Sequence, residues 1–196
     1  MTTRIQRQRR SSLVEAAYAT VLEHGIDGMT MARVSRRAGL SPGIVNYHFR
    51  DKDTLVIWVV RHALRLILED AVRRLKAAAG PRGRISAVIA ANFSDRAFDR
   101  PTAAAWVSFY AAVASNPEVA RLQELVYRRQ RSNLVPALCA LTTRARAATI
   151  AHGISVMIDG LWMQRAMSSQ EITRDQAIAL IEDHVAGALA VVPQDG

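Results

Sequence analysis

Cysteine is almost missing from this chain. Cys139 is the single one in 196 residues, so no disulfide can form within it. It sits in the apolar run "LVPALCALT" and reads as a small buried hydrophobe. Lysine is nearly missing too: of 26 basic residues only Lys52 and Lys76 are lysine. Arginine pervades the whole chain, so its abundance alone marks no partner. No apolar run approaches the roughly 18 residues of a membrane-spanning helix. The arginines at 4, 7, 9 and 10 are not followed by the apolar core of a secretory signal. The expected setting is therefore a reducing cytoplasm. Catalytic signatures are missing as well. There is no GxSxG, no P-loop and no GxGxxG, and His24, His48, His62, His152 and His184 lack metal-ligand spacing with cysteine or acids. The chain is expected to be no enzyme, with no cofactor and no metal.

What is present is helix. Half the residues are hydrophobic, strand patterns are nearly absent, and apolar residues recur at spacings of three and four between Gly and Pro punctuation. About nine helices are predicted, an all-α fold. The first covers about Arg7 to His24, with Leu13, Ala16, Ala17, Thr20 and Val21 inward and Gly25 ending it. Thr30 caps a second, Met31 to Ala38, burying Met31, Val34 and Ala38. After Gly39, Ser41 caps a third with Pro42 at its first turn, reaching about Phe49. Asp51 or Asp53 starts a long fourth helix running to about Ala79, roughly 40 Å at 1.5 Å per residue. Further helices are expected near 82–97, 102–114, 118–140 (kinked or split by Pro136), 146–168 and 174–191. Thr173 and Gln176 form a capping box for the last. Its stripe is Ile178, Ile181, Val185, Leu189 and Val192, and the preceding helix carries Ile150, Ile154, Ile158, Leu161 and Trp162. These two helices either form a four-helix homodimer interface or cover their own core.

The positive charge is uneven. Residues 1–52 hold nine of the 26 basic groups and four of the 17 acidic ones. Three short helices joined by a Gly-containing turn are the helix-turn-helix pattern. The stretch "MTMARVSRRAGLSPGIVNYHFRDKDTL" resembles the signature of the TetR family of transcriptional repressors. The likeness divides the chain into a DNA-binding domain, 1–52, and an effector-binding and dimerisation domain, 53–196. In the third helix Val45 and Phe49 lie four apart and should pack inward. Gly43, Ile44, Asn46 and Tyr47 are left outward, toward a major groove. Asn46 suits adenine and Ile44 a thymine methyl. Gly43 allows close backbone approach, and Tyr47 offers a ring and a hydroxyl. The resemblance implies phosphate contacts from His48, Lys52 and Thr30, with Ser41 and Pro42 at the same helix end. Arg33, Arg36, Arg37, Arg50 and the arginines before Ser11 (Arg4, Arg7, Arg9 and Arg10) can add attraction that ignores sequence. The plainer alternative for Tyr47 and His48 is an aromatic pair closing a small core, and Arg36 and Arg37 could be merely solvated.

In the remainder, Trp106, Phe109 and Tyr110 share one helix face, and Asp159 lies one turn before Trp162 in an apolar stretch. Aromatic faces with one carboxylate suit a quaternary ammonium ligand. "AAWVSFYA", "RLQELVYRRQRSNL" and "IDGLWMQRAMS" resemble the betaine-biosynthesis repressors, the BetI group. That resemblance implies choline as effector, a cage drawn from Phe93, Trp106, Phe109, Tyr110 and Trp162, and Asp159 as counter-charge. The plainer alternatives are aromatic core and an Asp159–Arg165 pair, and Trp58 on the fourth helix reads as core. The expectation is a homodimeric repressor on palindromic operator DNA, controlling choline uptake and glycine betaine synthesis. The alternatives are another effector, such as a lipophilic cation or drug, or DNA binding without any effector.

Overall fold

The computed structural model describes residues 4–93, 98–169 and 171–190. Among them the elements are all helices: α1 (Arg4–Gly28), α2 (Met31–Ala38), α3 (Pro42–His48), α4 (Lys52–Ala77), α5 (Gly80–Ala91), α6 (Arg100–Val113), α7 (Pro117–Cys139), α8 (Arg144–Met167) and α9 (Arg174–Ala190). The all-α expectation stands.

Local chemistry explains most boundaries. The regular part of α1 breaks at Gly25, whose φ of 69° lies in the left-handed region. Thr30 caps α2 by accepting from the Arg33 amide at 3.2 Å. Gly39 ends α2 with φ 66°, and its amide and that of Leu40 take up the carbonyls of Arg36 and Ser35. Ser41 precedes α3 in extended conformation, but its side chain makes no capping bond; Pro42 fits the first turn unaided. Asp51 accepts from the Thr54 amide at 2.8 Å and so caps α4. The capping box of α9 is reciprocal: Gln176 N to Thr173 Oγ1, 3.2 Å, and Thr173 N to Gln176 Oε1, 2.9 Å. Thr143 caps α8 in the same way as Thr30 caps α2.

Some expectations are corrected. Met29 is fully buried, whereas Met31 and Ala38 are only partly so. Pro136 does not split α7, which continues to Cys139. Proline there forgoes one backbone bond, the one its amide would have donated to the Ser132 carbonyl, and the helix continues past it. Cys139 itself is exposed, because Leu134, Ala137 and Leu138 take the inward stripe. α5 stops at Ala91, short of the predicted end.

The chain packs as two compact units. The first comprises 1–66 with 104–122, and the second 67–103 with 123–196. The first is built around Leu13, Ala17, Met29, Val34, Val45, Phe49 and Leu55, with α2 on α1 and α3. In the second, α9 packs on α8 and α5. The α8 stripe of Ile150, Ile154, Ile158, Leu161 and Trp162 is buried there, with Ile181 and Val185 of α9. Ile178 and Leu189 are half-buried, and Val192 lies outside the described residues.

Candidate functional site

The structure divides α3 sharply. Val45 and Phe49 are 0% exposed, while Tyr47 is 74% exposed. Burying a valine and a phenylalanine contributes about 1.5–3 kcal/mol each, which fixes the rotation of this seven-residue helix. Gly43 and Asn46 consequently face solvent, and Ile44 is half-covered. The fold itself has no steric need for the glycine at 43: a Cβ there meets only Ser41 Oγ, at 3.9 Å. Ser41 and Pro42 are exposed at the N-terminal end of α3.

The polar residues around α3 are held by their own chain. Lys52 Nζ donates to the Asp27 carbonyl at 3.1 Å. Arg33 donates to the Gly28 carbonyl at 2.6 Å. Arg37 forks onto both carboxylate oxygens of Glu23, one contact at 2.8 Å, so it is more than a solvated charge. Tyr47 stacks edge-on against His48, 5.2 Å between centroids, and its hydroxyl accepts from Gln6 Nε2 at 3.3 Å. The Tyr47–His48 pair lies at the surface, with Phe49 beneath closing the core. Burial lowers the His48 imidazole from its usual value, and the guanidinium charges of Arg10 and Arg9 lower it further.

The six residues expected in an effector cage fall in different units. Trp106, Phe109 and Tyr110 belong to the first. There Phe109 is buried and the other two are half-buried against the core that contains Leu13 and Phe49. Their rings lie 5.2–6.2 Å apart. Phe93, Asp159 and Trp162 belong to the second unit. Phe93 and Trp162 are stacked at 6.5 Å, and Phe98 meets both edge-on at 5.1 Å. Phe98 was not among the residues read from the sequence.

Asp159 accepts from the Tyr127 hydroxyl at 2.5 Å. Burial, then the bond to Asp159, raises the Tyr127 phenol above its usual value, so it remains the donor. The alternative partner Arg165 instead meets Glu171 at 3.5 Å. Beside these groups runs a buried polar chain the sequence reading missed. Ser155 donates to Gln130 (2.8 Å), Gln130 to Asn92 (3.3 Å), and Trp162 Nε1 to the Asn92 carbonyl (3.2 Å). Asn92, at the end of the apolar α5 run, was a readable signal; Gln130, inside "RRQRS", was not. Among the described residues no cluster of His, Cys, Asp or Glu could hold a metal, and no helix is long and apolar enough to cross a membrane.

Comparison with known proteins fits this arrangement. Residues 13–58 match the bacterial regulatory proteins of the tetR family, and residues 81–190 match the BetI-type transcriptional repressor C-terminal family. The HTH-type transcriptional regulator BetI of Brucella suis is 40% identical over 185 residues, 94% of this chain and 93% of its own. Among solved structures, a transcriptional regulator from Pseudomonas aeruginosa PAO1 superposes with a TM-score of 0.78 at 29% identity, covering 94% of this chain and 91% of that one. One from Saccharomonospora viridis, in complex with choline, superposes with a TM-score of 0.80 at 19% identity, covering 92% and 97%. These families are regulators and not enzymes. The chain belongs to the TetR family of transcriptional regulators, with a BetI-type repressor C-terminal region.

Proposed function

We propose that this chain is a cytoplasmic, homodimeric repressor of palindromic operator DNA that governs choline uptake and glycine betaine synthesis, with choline as effector. The carrying observation is the division of α3. Its core side chains are fully buried, while Gly43, Asn46 and Tyr47 are exposed at the surface. That is what a helix inserted in a major groove requires. Asn46 reads adenine, Ile44 a thymine methyl, and Gly43 allows close approach. Thr30, Arg33, Ser41, Pro42, Tyr47, His48 and Lys52 set register on the backbone.

The choline half rests on the aromatic and carboxylate groups of the second unit. Phe93, Phe98 and Trp162 pack within stacking distance, and Asp159 lies one turn from Trp162. Faces of this kind with one carboxylate attract a quaternary ammonium that can make no hydrogen bond. The resemblance to a choline-bound regulator supports the same ligand. Trp106, Phe109 and Tyr110 form a second aromatic array, to be tested in the same titrations.

Dimerisation is supported by exposed apolar residues on the outer sides of α8 and α9: Val156, Met163, Met167 and Leu180. They are distinct from the inward stripes. Two readers about 34 Å apart then match a two-fold operator. Choline acts only by binding one tilt of α4 more tightly than another, which changes that spacing. The test is footprinting on DNA upstream of the chain's own gene, with and without choline, alongside tryptophan fluorescence. A palindromic footprint weakened by choline is expected. No binding at millimolar choline removes the effector; protection without a preferred site removes the repressor.

A further inference from the structure

Trp58 was expected to be core, and in part it is. It lies on α4 between the buried Ile57 and Val59, half-buried against the cluster of the first unit. Its ring also holds two cations. Arg10 Cζ, from α1, lies over the ring at 3.9 Å from its centroid, and Arg61 Cζ lies over it at 5.4 Å. The two arginines differ in what else they meet. Arg61 donates to Glu118 at 2.7 Å. Arg10 is held by rings, Trp58 and then Phe49 at 5.4 Å, and its Nε is buried without a hydrogen-bond partner.

These contacts place Arg10 beside the end of α3. Phe49 is the residue that ends that helix, its amide bonded to the Val45 carbonyl. One turn earlier on α1, Gln6 donates to the Tyr47 hydroxyl at 3.3 Å. Residues four apart share a helix face, so the face of α1 that carries Gln6 and Arg10 runs along the C-terminal end of α3. His48 stands between Tyr47 and Phe49 in the chain, and the Arg10 charge reaches it: after burial, Arg10 and then Arg9 lower its imidazole. A phosphate met by His48 would lie in the same field.

Stacking leaves a guanidinium able to bind phosphate. The ring covers its flat face, whereas its N–H donors point outward in the plane. Cation–π attraction uses none of them. A stacked arginine is therefore oriented and still a donor. Lysine cannot be oriented in that way, because its ammonium has no flat face.

We propose that Trp58 is a positioning residue for DNA binding: its indole holds the Arg10 guanidinium beside the end of α3, where Arg10 donates to a backbone phosphate. The proposal rests on α3 lying against the duplex, and not on which bases it reads.

The experiment measures the affinity of the full-length protein for labelled operator and random duplexes by fluorescence anisotropy across a salt series. Arg10→Gln should weaken binding to both and lower the slope of log K against log salt by about 0.9. Trp58→Leu keeps the charge, so the slope should stay while affinity for both duplexes falls roughly three- to tenfold. In an Arg10→Gln background Trp58→Leu should cost nothing further, because the group it positions is gone. Arg10→Lys should keep the wild-type slope and be equally insensitive to Trp58→Leu. Trp58→Phe retains a smaller ring and should lie between wild type and Trp58→Leu; it decides the matter if the leucine variant fails to fold. A purely structural Trp58 gives another pattern: a lower denaturation midpoint with DNA affinity unchanged, or the same loss of affinity with and without Arg10. Either result overturns the proposal, as does an unchanged slope in Arg10→Gln. Equal wild-type affinity for the two duplexes removes base reading by α3, and the Arg10–Trp58 pattern on the random duplex then decides this proposal by itself.

Discussion

Replacing Asn46 by alanine separates reading from holding. Asn46 is exposed on α3, whose orientation is set by the buried Val45 and Phe49. Its removal should leave the core intact, with a stability change within about 0.5 kcal/mol. A bidentate amide–adenine pair discriminates by about 1–3 kcal/mol, so operator affinity per subunit should fall roughly 5- to 150-fold. Affinity for a random duplex should change less than about twofold. Lys52→Ala is the counterpart. Its ammonium, anchored on the Asp27 carbonyl at 3.1 Å, is a point charge without sequence preference. Its loss should weaken both duplexes equally and reduce the slope of log K against log salt by about 0.9 per contact. Fluorescence anisotropy with labelled operator and random duplexes, from 50 to 200 mM salt (roughly the range over which such slopes are read), measures all four quantities. Equal losses on both duplexes for Asn46→Ala, or a slope that falls with it, would refute base reading by α3.

Three further outcomes follow. Phe49→Ala should destabilise the first unit by about 3–5 kcal/mol, seen as a lower denaturant midpoint; a loss under about 1 kcal/mol contradicts its place at the centre of that core. The lowered His48 pKa gives a pH test with opposite signs in two settings. Because the folded chain disfavours protonated His48, its contribution to stability is complete above the ordinary value near 6.5 and is lost as pH falls through it. A DNA phosphate reverses that preference, so operator binding takes up a proton and tightens as pH falls from about 7.5 toward 6; His48→Gln should abolish this, and an unchanged pH profile removes the phosphate contact. Asp159→Asn keeps an acceptor for Tyr127 but removes the charge. Choline affinity should fall about tenfold, given roughly 1 kcal/mol or more for a charge pair near 4 Å, and calorimetry showing full affinity would move the counter-charge elsewhere.

The helix-turn-helix was legible because its determinants are local. Thr30, Gly39, Pro42 and the Val45–Phe49 pair act through neighbours within a few residues, and each does in the structure what its chemistry implies. The proposed effector region was legible only in composition. Aromatics three and four apart look alike whether they face a ligand or a core, and Trp106, Phe109 and Tyr110 proved to pack against the same cluster as Leu13. Phe98 and Tyr127 are placed by tertiary contacts to residues 64 and 32 positions away, and no periodicity marks such partners. The α8 stripe is buried as expected, and of the α9 stripe Ile181 and Val185 are buried and Ile178 and Leu189 half-buried, but periodicity cannot distinguish an inward stripe from an interface. The apolar residues left exposed, Val156 and Met167 among them, were not in either stripe.

The absence of lysine and arginine from α3 has a physical logic. Specificity is the difference between binding the operator and binding everything else, and backbone charge raises both. A recognition helix of glycine, isoleucine, asparagine and tyrosine adds little to the second term. Charge is instead placed on the flanks, where chain acceptors restrain it: Arg33 on the Gly28 carbonyl, Lys52 on that of Asp27, Arg37 on Glu23. A tethered cation gives up less freedom on meeting a phosphate than a free one. In the proposed complex it would therefore fix the position of the duplex relative to α3 rather than merely attract it. Gly43 completes the arrangement: a Cβ there would make only an ordinary contact with Ser41 Oγ, so the fold does not require glycine, and in the proposed complex a side chain there would hold the groove away from Asn46.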